Sequence, residues 1–230
     1  MIALLYVAVV LVGYLLGSIP FGLLIARTFA KTDIRLVGSG KTGMTNVMRA
    51  AGKKAAALSL LLDMTKGALS VIVAMLLFNT DFALASGALP WTSEVARVLA
   101  ALAAIGGHSW SVFLRFRGGR GVATFIGGLM ALYWPAAVVG GGIMLIVGFV
   151  SRYMSLGSIT GAVAALVMCI VLFVTKSYPV EYLAYTVYAM ICSIFIFFMH
   201  RDNIIRLVSG TERRLGEKAA SGNPVAGDHK

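Results

Sequence analysis

The chain has 230 residues, 59% of them hydrophobic and only 13% charged, with a formal net charge of +11. A soluble globular domain is nearer half apolar and a quarter charged, so a water-soluble enzyme is excluded. The cations cluster in a few short stretches between apolar runs. That pattern excludes a nucleic-acid partner in favour of a membrane protein with anionic lipid headgroups, and anionic substrates, as neighbours.

The first apolar run covers residues 2–26. It has no basic leader and is too long for a cleaved signal, so it reads as a first transmembrane helix. A basic loop follows over 27–54, then a second apolar run over 55–78 that carries Asp63 and Lys66. Residues 79–93 contain no Lys or Arg. The third run spans 94–114, and RFRGGRG occupies 115–121. The stretch 122–150 is apolar but holds Pro135 and Gly140 to Gly142. Further runs cover 153–175 and 181–199, and the tail from His200 is basic, then polar. Cys169 and Cys192 lie inside apolar runs, where burial is the ordinary fate of cysteine. No internal repeat interrupts this order.

Seventeen of the twenty Lys and Arg residues fall in 27–54, 115–121, Arg152 and the tail. Placing these on the cytoplasmic side puts the N-terminus outside and the C-terminus inside. Parity then requires 122–150 to leave and re-enter on one side. Two short helices turning near Pro135 give seven transmembrane helices; a re-entrant hairpin gives five. The expected fold is therefore all-α and polytopic, with seven shorter, tilted helices, or five plus a re-entrant hairpin. Residues 1–212 form one transmembrane domain and 213–230 a polar, disordered cytoplasmic tail.

Three stretches carry chemistry. The first is GSGKTGMTNVMR, from Gly38 to Arg49. Its glycines let backbone N–H groups approach an anion, and Ser39, Thr42 and Thr45 add hydroxyls. It contains G-x-G-x-x-G but follows a membrane helix rather than a strand, so it is no dinucleotide fingerprint. Arg35 stands where a Walker loop needs its first glycine. The plain alternative is a loop lying against acidic headgroups. The second stretch runs from Gly107 to Thr124, where Arg120 sits between glycines just before a new helix. A helix N-terminus suits phosphate; Arg115 and Arg117 read as topology signals. Four and five residues after His108 stand Val112 and Phe113 rather than an aspartate, so the H-x-x-x-x-D mechanism is unsupported. The third stretch runs from His200 to Glu212, with His200 and Asn203 on one helical face. Histidine there is suited to proton transfer or phosphate binding, or is simply interfacial. Asp63 and Lys66 form an i, i+3 pair that either stitches the bundle or serves function. Arg152, Ser155 and Ser158 open the run at 153–175, where a cap and small-residue packing are the plain reading.

These blocks, in this order, resemble the bacterial acyl-phosphate:glycerol-3-phosphate acyltransferase family. The supports are GSIPFG at Gly17 to Gly22, GSG-x-x-G-x-TN-x-x-R at Gly38 to Arg49 and D-x-x-KG at Asp63 to Gly67. FLRFRGGRGVAT, RY-x-SL-x-SI from Arg152 to Ile159, and HRDNIIRL-x-x-G-x-E from His200 to Glu212 complete them. The family usually has Asn where Lys41 stands, Ala where Met44 stands, and Lys where Arg120 stands; residues 79–93 look like a lineage-specific addition.

The resemblance implies transfer of a fatty acyl group from long-chain acyl phosphate to the 1-hydroxyl of glycerol 3-phosphate, giving lysophosphatidic acid and inorganic phosphate. The implied catalytic residues are His200, Asn203, Arg49 and Arg120. The implied phosphate-binding set is Ser39, Gly40, Lys41, Thr45, Asn46, Arg49, Gly118, Gly119, Arg120, Ser155, Ser158, His200 and Asn203. No cofactor and no metal are expected. Implied partners are membrane lipids and a soluble enzyme that makes acyl phosphate, and the implied location is the bacterial inner membrane with the site facing the cytoplasm. The rival from another class is a transporter of a phosphorylated anion, which needs its site near the midplane.

Overall fold

The computed structural model describes residues 2–78, 91–176 and 180–217. Most of the 79–93 stretch, and the tail beyond 217, lie outside the described residues. Every regular element among the described residues is helical: α1 Ile2–Ser18, α2 Phe21–Ala30, α3 Met44–Leu77, α4 Thr92–Ser109, α5 Val122–Ser151, α6 Met154–Thr175, α7 Val180–Met199 and α8 Arg201–Val208. Short 3-10 turns occupy Ile34–Leu36 and Val112–Leu114.

The apolar runs have become a multi-pass membrane bundle. Six segments among the described residues are long and apolar enough to cross a bilayer: Ile2–Ala30, Met44–Leu77, Thr92–Leu114, Val122–Ser151, Met154–Thr175 and Glu181–Met199. Their outer faces carry large apolar side chains, such as Leu4 at 74%, Leu76 at 74% and Val150 at 81% exposure. Water would not tolerate such a surface, whereas lipid does.

Breaks in the helices set the architecture. Pro20 supplies no N–H, and the first run divides there into α1 and α2. The basic loop is shorter than the sequence suggests, because α3 already begins at Met44. Gly52, at φ 85°, breaks that helix into residues 44–51 and 53–77. A side chain would meet no atom there, so the left-handed backbone alone explains the glycine.

The run around Pro135 folds back on itself. Tyr133 leaves helical geometry at φ −155°, ψ 91°. A Cβ at Gly141 would lie 3.4 Å from Ile126 Cγ2. In a straight helix those two residues would be roughly 22 Å apart along the axis. The reversal that both readings of this run require is present, and its turn comes two residues before Pro135. The arms, residues 122–132 and 134–151, are about 16 and 27 Å long.

This hairpin is the centre of the core. Phe125, Leu129 and Ala136 pack with Val71 of α3, Ala101 and Ile105 of α4, Ala165 of α6 and Tyr188 of α7. Tyr188 is fully buried and donates its hydroxyl to the Phe125 carbonyl at 3.1 Å. The hairpin thereby brings the start of α5 and the start of α6 to one end of the bundle, beside the loop before α3 and the end of α7.

Candidate active site

Four basic segments converge at that end around a cavity of about 320 Å³. The first wall is the loop before α3. Asp33 accepts from Arg35 at 2.6 and 2.9 Å and from Arg27 at 3.2 Å. The Arg35 hydrogen bonds hold its carboxyl well below the usual carboxylate range. Asn46, 2% exposed, sits inside the curl of this loop. Its Nδ2 donates to the carbonyls of Ile34, Val37 and Lys41 at 3.0, 2.9 and 2.9 Å. Its Oδ1 accepts from Ser39 N at 3.3 Å. Asn46 therefore shapes the loop, and Arg49, one helical turn on, borders the cavity.

The second wall is the glycine turn. Arg115 and Phe116 are left-handed, at φ 50° and 62°, which reverses the chain after the 3-10 turn. Gly118 N then donates to Ser109 O and Gly119 N to His108 O, both at 3.0 Å. A Cβ at Gly118 would collide with the His108 carbonyl, and one at Gly119 with His108 Nε2. These glycines permit close packing on His108, and neither lines the cavity; Gly40 does not line it either. Arg120 does, just before α5.

The third wall is the end of α7 with α8. His200 is 2% exposed, and its Nδ1 donates to the Ile196 carbonyl at 2.8 Å. Nε2 is therefore the lone-pair nitrogen of the neutral ring. Burial, then the Arg120 charge, pulls His200 down to about 4, against the opposing pull of Ile196 O and Glu212. Glu212 gathers this wall, accepting from Asn203 Nδ2 at 2.6 Å, Ser155 Oγ at 2.8 Å and Arg206 Nε at 2.8 Å. Leu215 N donates to Arg152 O at 2.7 Å and Leu215 O accepts from Arg152 Nη2 at 3.1 Å. The packed chain thus continues past residue 212 to at least Leu215, and Arg213 and Leu215 themselves border the cavity.

Of the residues expected at the site, Ser39, Lys41, Thr45, Asn46, Arg49, Arg120, Ser155, Ser158, His200 and Asn203 line this one cavity. Ser158 spends its hydroxyl on Met154 O at 2.8 Å. Sequence reasoning missed Asp63, His108, Arg206, Glu212 and Arg213 as lining residues. The aspartate absent from the sequence neighbourhood of His108 comes from α3: Asp63 Oδ1 lies 3.5 Å from His108 Nδ1 and 2.8 Å from Lys66 Nζ. The signal available in the sequence was only that intramembrane charges seek partners.

The electrostatics favour an anion. Among the described residues, no carboxylate stands within ion-pairing distance of Lys41, Arg49 or Arg120. Burial pulls both Lys41 and Arg120 below their ordinary values, and for Lys41 the nearby Arg120 charge adds to this. Arg120 Nε and Asn203 Oδ1 are buried without a hydrogen-bond partner among the described residues. Both belong to residues that line the cavity, where a bound polar group can satisfy them. Leu60, Val122, Ala123, Met144 and Met154 make the rest of the wall apolar. A molecule with an anionic head and a hydrocarbon chain fits both surfaces.

Comparison with known proteins places the chain among membrane acyltransferases. Residues 7–210 match the family described as glycerol-3-phosphate acyltransferase. A protein of Dehalococcoides mccartyi (strain CBDB1) named glycerol-3-phosphate acyltransferase 3 is 52% identical over 92% of this chain and 96% of its own. The glycerol-3-phosphate acyltransferase of Rhodopseudomonas palustris (strain BisB5) is 42% identical over 93% and 97%. The crystal structure of PlsY (YgiH), an integral membrane glycerol 3-phosphate acyltransferase in its glycerol 3-phosphate form, superposes with a TM-score of 0.76 at 37% identity, covering 92% of this chain and 96% of that one. Its lysophosphatidic acid form gives 0.74 at 36% identity.

Proposed function

The chain belongs to the glycerol-3-phosphate acyltransferase family, and from that footing we propose that it transfers a fatty acyl group from acyl phosphate to the 1-hydroxyl of glycerol 3-phosphate, releasing lysophosphatidic acid and inorganic phosphate. The observation that carries this reading is the two-faced cavity, with Lys41, Arg49 and Arg120, none of them ion-paired to a carboxylate among the described residues, on one side and Met144 and Met154 on the other. Two phosphorylated substrates brought side by side repel each other, and converging cations offset that repulsion.

Arg120, Arg49, Ser39 and Asn203 hold the glycerol 3-phosphate phosphate, with His200 and Ser155 bordering the glycerol. The hydroxyl oxygen attacks the acyl carbonyl, the carbonyl–phosphate bond breaks, and phosphate leaves with its electron pair. His108 and Asp63 are paired on the cavity wall, but the hydroxyls of the lining serines Ser39, Ser155 and Ser158 are engaged with Lys41 N, Glu212 and Met154 O rather than with a histidine, which supports direct transfer without an acyl-enzyme. The proton goes to a group basic enough to take it. A histidine held near pKa 4 is a poor base at neutral pH, because the best base titrates near the working pH. The donor's own phosphate is the better acceptor, and neutral His200 then acts as a hydrogen-bond acceptor for the hydroxyl. The charge distribution supports a site on the cytoplasmic face of the inner membrane, since the cation-rich segments share one end of the bundle. A soluble enzyme that makes acyl phosphate would deliver the donor there.

The test uses purified protein in detergent with glycerol 3-phosphate and palmitoyl phosphate, measuring phosphate and lysophosphatidic acid. Parallel reactions offer acyl-CoA, or replace the enzyme with Arg120→Ala. Equal amounts of both products from acyl phosphate alone are expected, with KM for glycerol 3-phosphate raised roughly 10- to 100-fold in the variant. Product from acyl-CoA alone would sink the donor assignment.

A further inference from the structure

The glycine turn that carries Arg120 rests on a buried group of charges that the reaction itself does not use. Asp63 of α3, Lys66 one turn later and His108 of α4 are 2%, 3% and 5% exposed. Asp63 Oδ1 is shared between Lys66 Nζ at 2.8 Å and His108 Nδ1 at 3.5 Å. Lys66 also donates to the Ile19 carbonyl at 3.0 Å, in the break between α1 and α2. Truncating one member of a buried charge group leaves the others uncompensated, so such groups persist where geometry is worth their desolvation.

That geometry points at Arg120. His108 accepts from Gly119 N through its carbonyl, and its ring Nε2 fills the space a Gly119 side chain would need. The imidazole thus supports the turn from below, one residue before Arg120. Its other nitrogen is turned to Asp63, which fixes the ring's rotation. Nε2 is covered by Gly119, so His108 is placed to hold the turn rather than to exchange a proton with substrate.

We infer that Asp63 and His108 are positioning residues, which hold the Gly118–Gly119 turn so that the Arg120 guanidinium meets the substrate phosphate. The inference rests on the reading of Arg120 given above. A misplacement of about 1 Å in such a cation costs on the order of 10- to 100-fold in rate or binding. The effect must pass through Arg120, and this separates positioning from general structural support.

The experiment is a double-mutant cycle on the full-length protein in detergent, with palmitoyl phosphate as donor and glycerol 3-phosphate varied. The variants are His108→Ala, Asp63→Asn, Arg120→Ala and each pair with Arg120→Ala. Positioning predicts that His108→Ala and Asp63→Asn each raise KM for glycerol 3-phosphate on the order of 10- to 100-fold, and add little once Arg120 is Ala. The same fold-change in both backgrounds would overturn the inference, as would an unchanged KM in well-folded His108→Ala. Should His108→Ala not fold, Gly119→Ala displaces the ring from the loop side and must show the same non-additive rise; additivity there overturns the inference equally. An Arg120→Ala enzyme with unaltered KM would instead remove the phosphate role of Arg120, and the positioning role with it.

Discussion

Asn203 donates from Nδ2 to Oε1 of Glu212 at 2.6 Å, and that oxygen also takes the Ser155 hydroxyl at 2.8 Å. One carboxylate therefore joins α8, the start of α6 and the segment after α8. The arrangement fixes Asn203 with its amide nitrogen spent on Glu212 and its Oδ1 left without a partner among the described residues. Glu212→Gln keeps the volume but removes the charge and can answer two donors only weakly. Hydrogen bonds to a charged group contribute about 1.5–3 kcal/mol, so a loss of at least about tenfold in kcat/KM is expected, with a lower Tm. A variant with unaltered kinetics would mean that Asn203 is held in place by something other than Glu212.

His200 makes stability depend on pH in a defined direction. Its imidazole titrates near 4 in the folded protein because it is buried and faces Arg120, against an ordinary value of about 6.5. Above pH 6.5 the ring is neutral in both states and the fold has its full stability. As pH falls from 6.5 towards 4 the unfolded chain takes up a proton that the folded chain refuses, so stability falls. Below 4 both states are protonated and this contribution levels off. The expected loss is on the order of 3 kcal/mol. Melting curves of wild type and His200→Gln between pH 7.5 and 4.5 isolate it: the wild type should lose more Tm on acidification. Parallel curves would contradict the burial argument.

The sequence made the anion-binding blocks legible because each combines glycine, hydroxyl and cation within a dozen residues, and all four cation-rich segments do meet at one end. Parity of the charged loops also forced a reversal within 122–150, and the chain turns at Tyr133. What local spacing does not show is contact across helices. Asp63 reaches His108 from 45 positions away, and only the crossing of α3 and α4 brings them together. Glu212 looked like the end of a motif, whereas it is the acceptor for three donors. Glycine is equally ambiguous in sequence: Gly118 and Gly119 suit an approaching phosphate or close packing within the chain, and in the fold the His108 backbone lies against Gly118 and the His108 imidazole against Gly119.

The crossing of α3 on α5 gives a test of packing. A Cβ at Gly127 would collide with the Met64 carbonyl, and one at Gly67 with the Thr124 carbonyl. Backbone cannot rotate aside as a side chain can, so small residues are required where membrane helices approach this closely. Gly127→Ala should destabilise by about 1–3 kcal/mol, the usual cost of overpacking. Gly106→Ala is the control, because a Cβ there meets no atom within 4 Å. Thermal unfolding in detergent should rank Gly127→Ala well below wild type and Gly106→Ala at or above it. Equal melting of the two variants would remove the close crossing as a determinant of stability.

Asn46 separates loop-shaping from direct binding. Its amide nitrogen faces three carbonyls, from Ile34, Val37 and Lys41, so it offers no free donor to a phosphate. Removing it leaves buried carbonyls without a partner, at about 1–3 kcal/mol for each unsatisfied group. Asn46→Asp is worse at neutral pH, because it sets a carboxylate against those same oxygens. Both variants should release the curl over residues 34–41 and carry Ser39 and Lys41 away from the cavity. Hydrogen exchange provides the readout, since the Gly40 amide is held by Val37 O at 3.0 Å and Ser39 N by Asn46 itself. Faster exchange across this segment is expected, together with a raised KM for glycerol 3-phosphate, and more so in Asn46→Asp than in Asn46→Ala. A raised KM with exchange unchanged would mean that the side chain touches substrate directly, as its place among the phosphate-binding residues first implied.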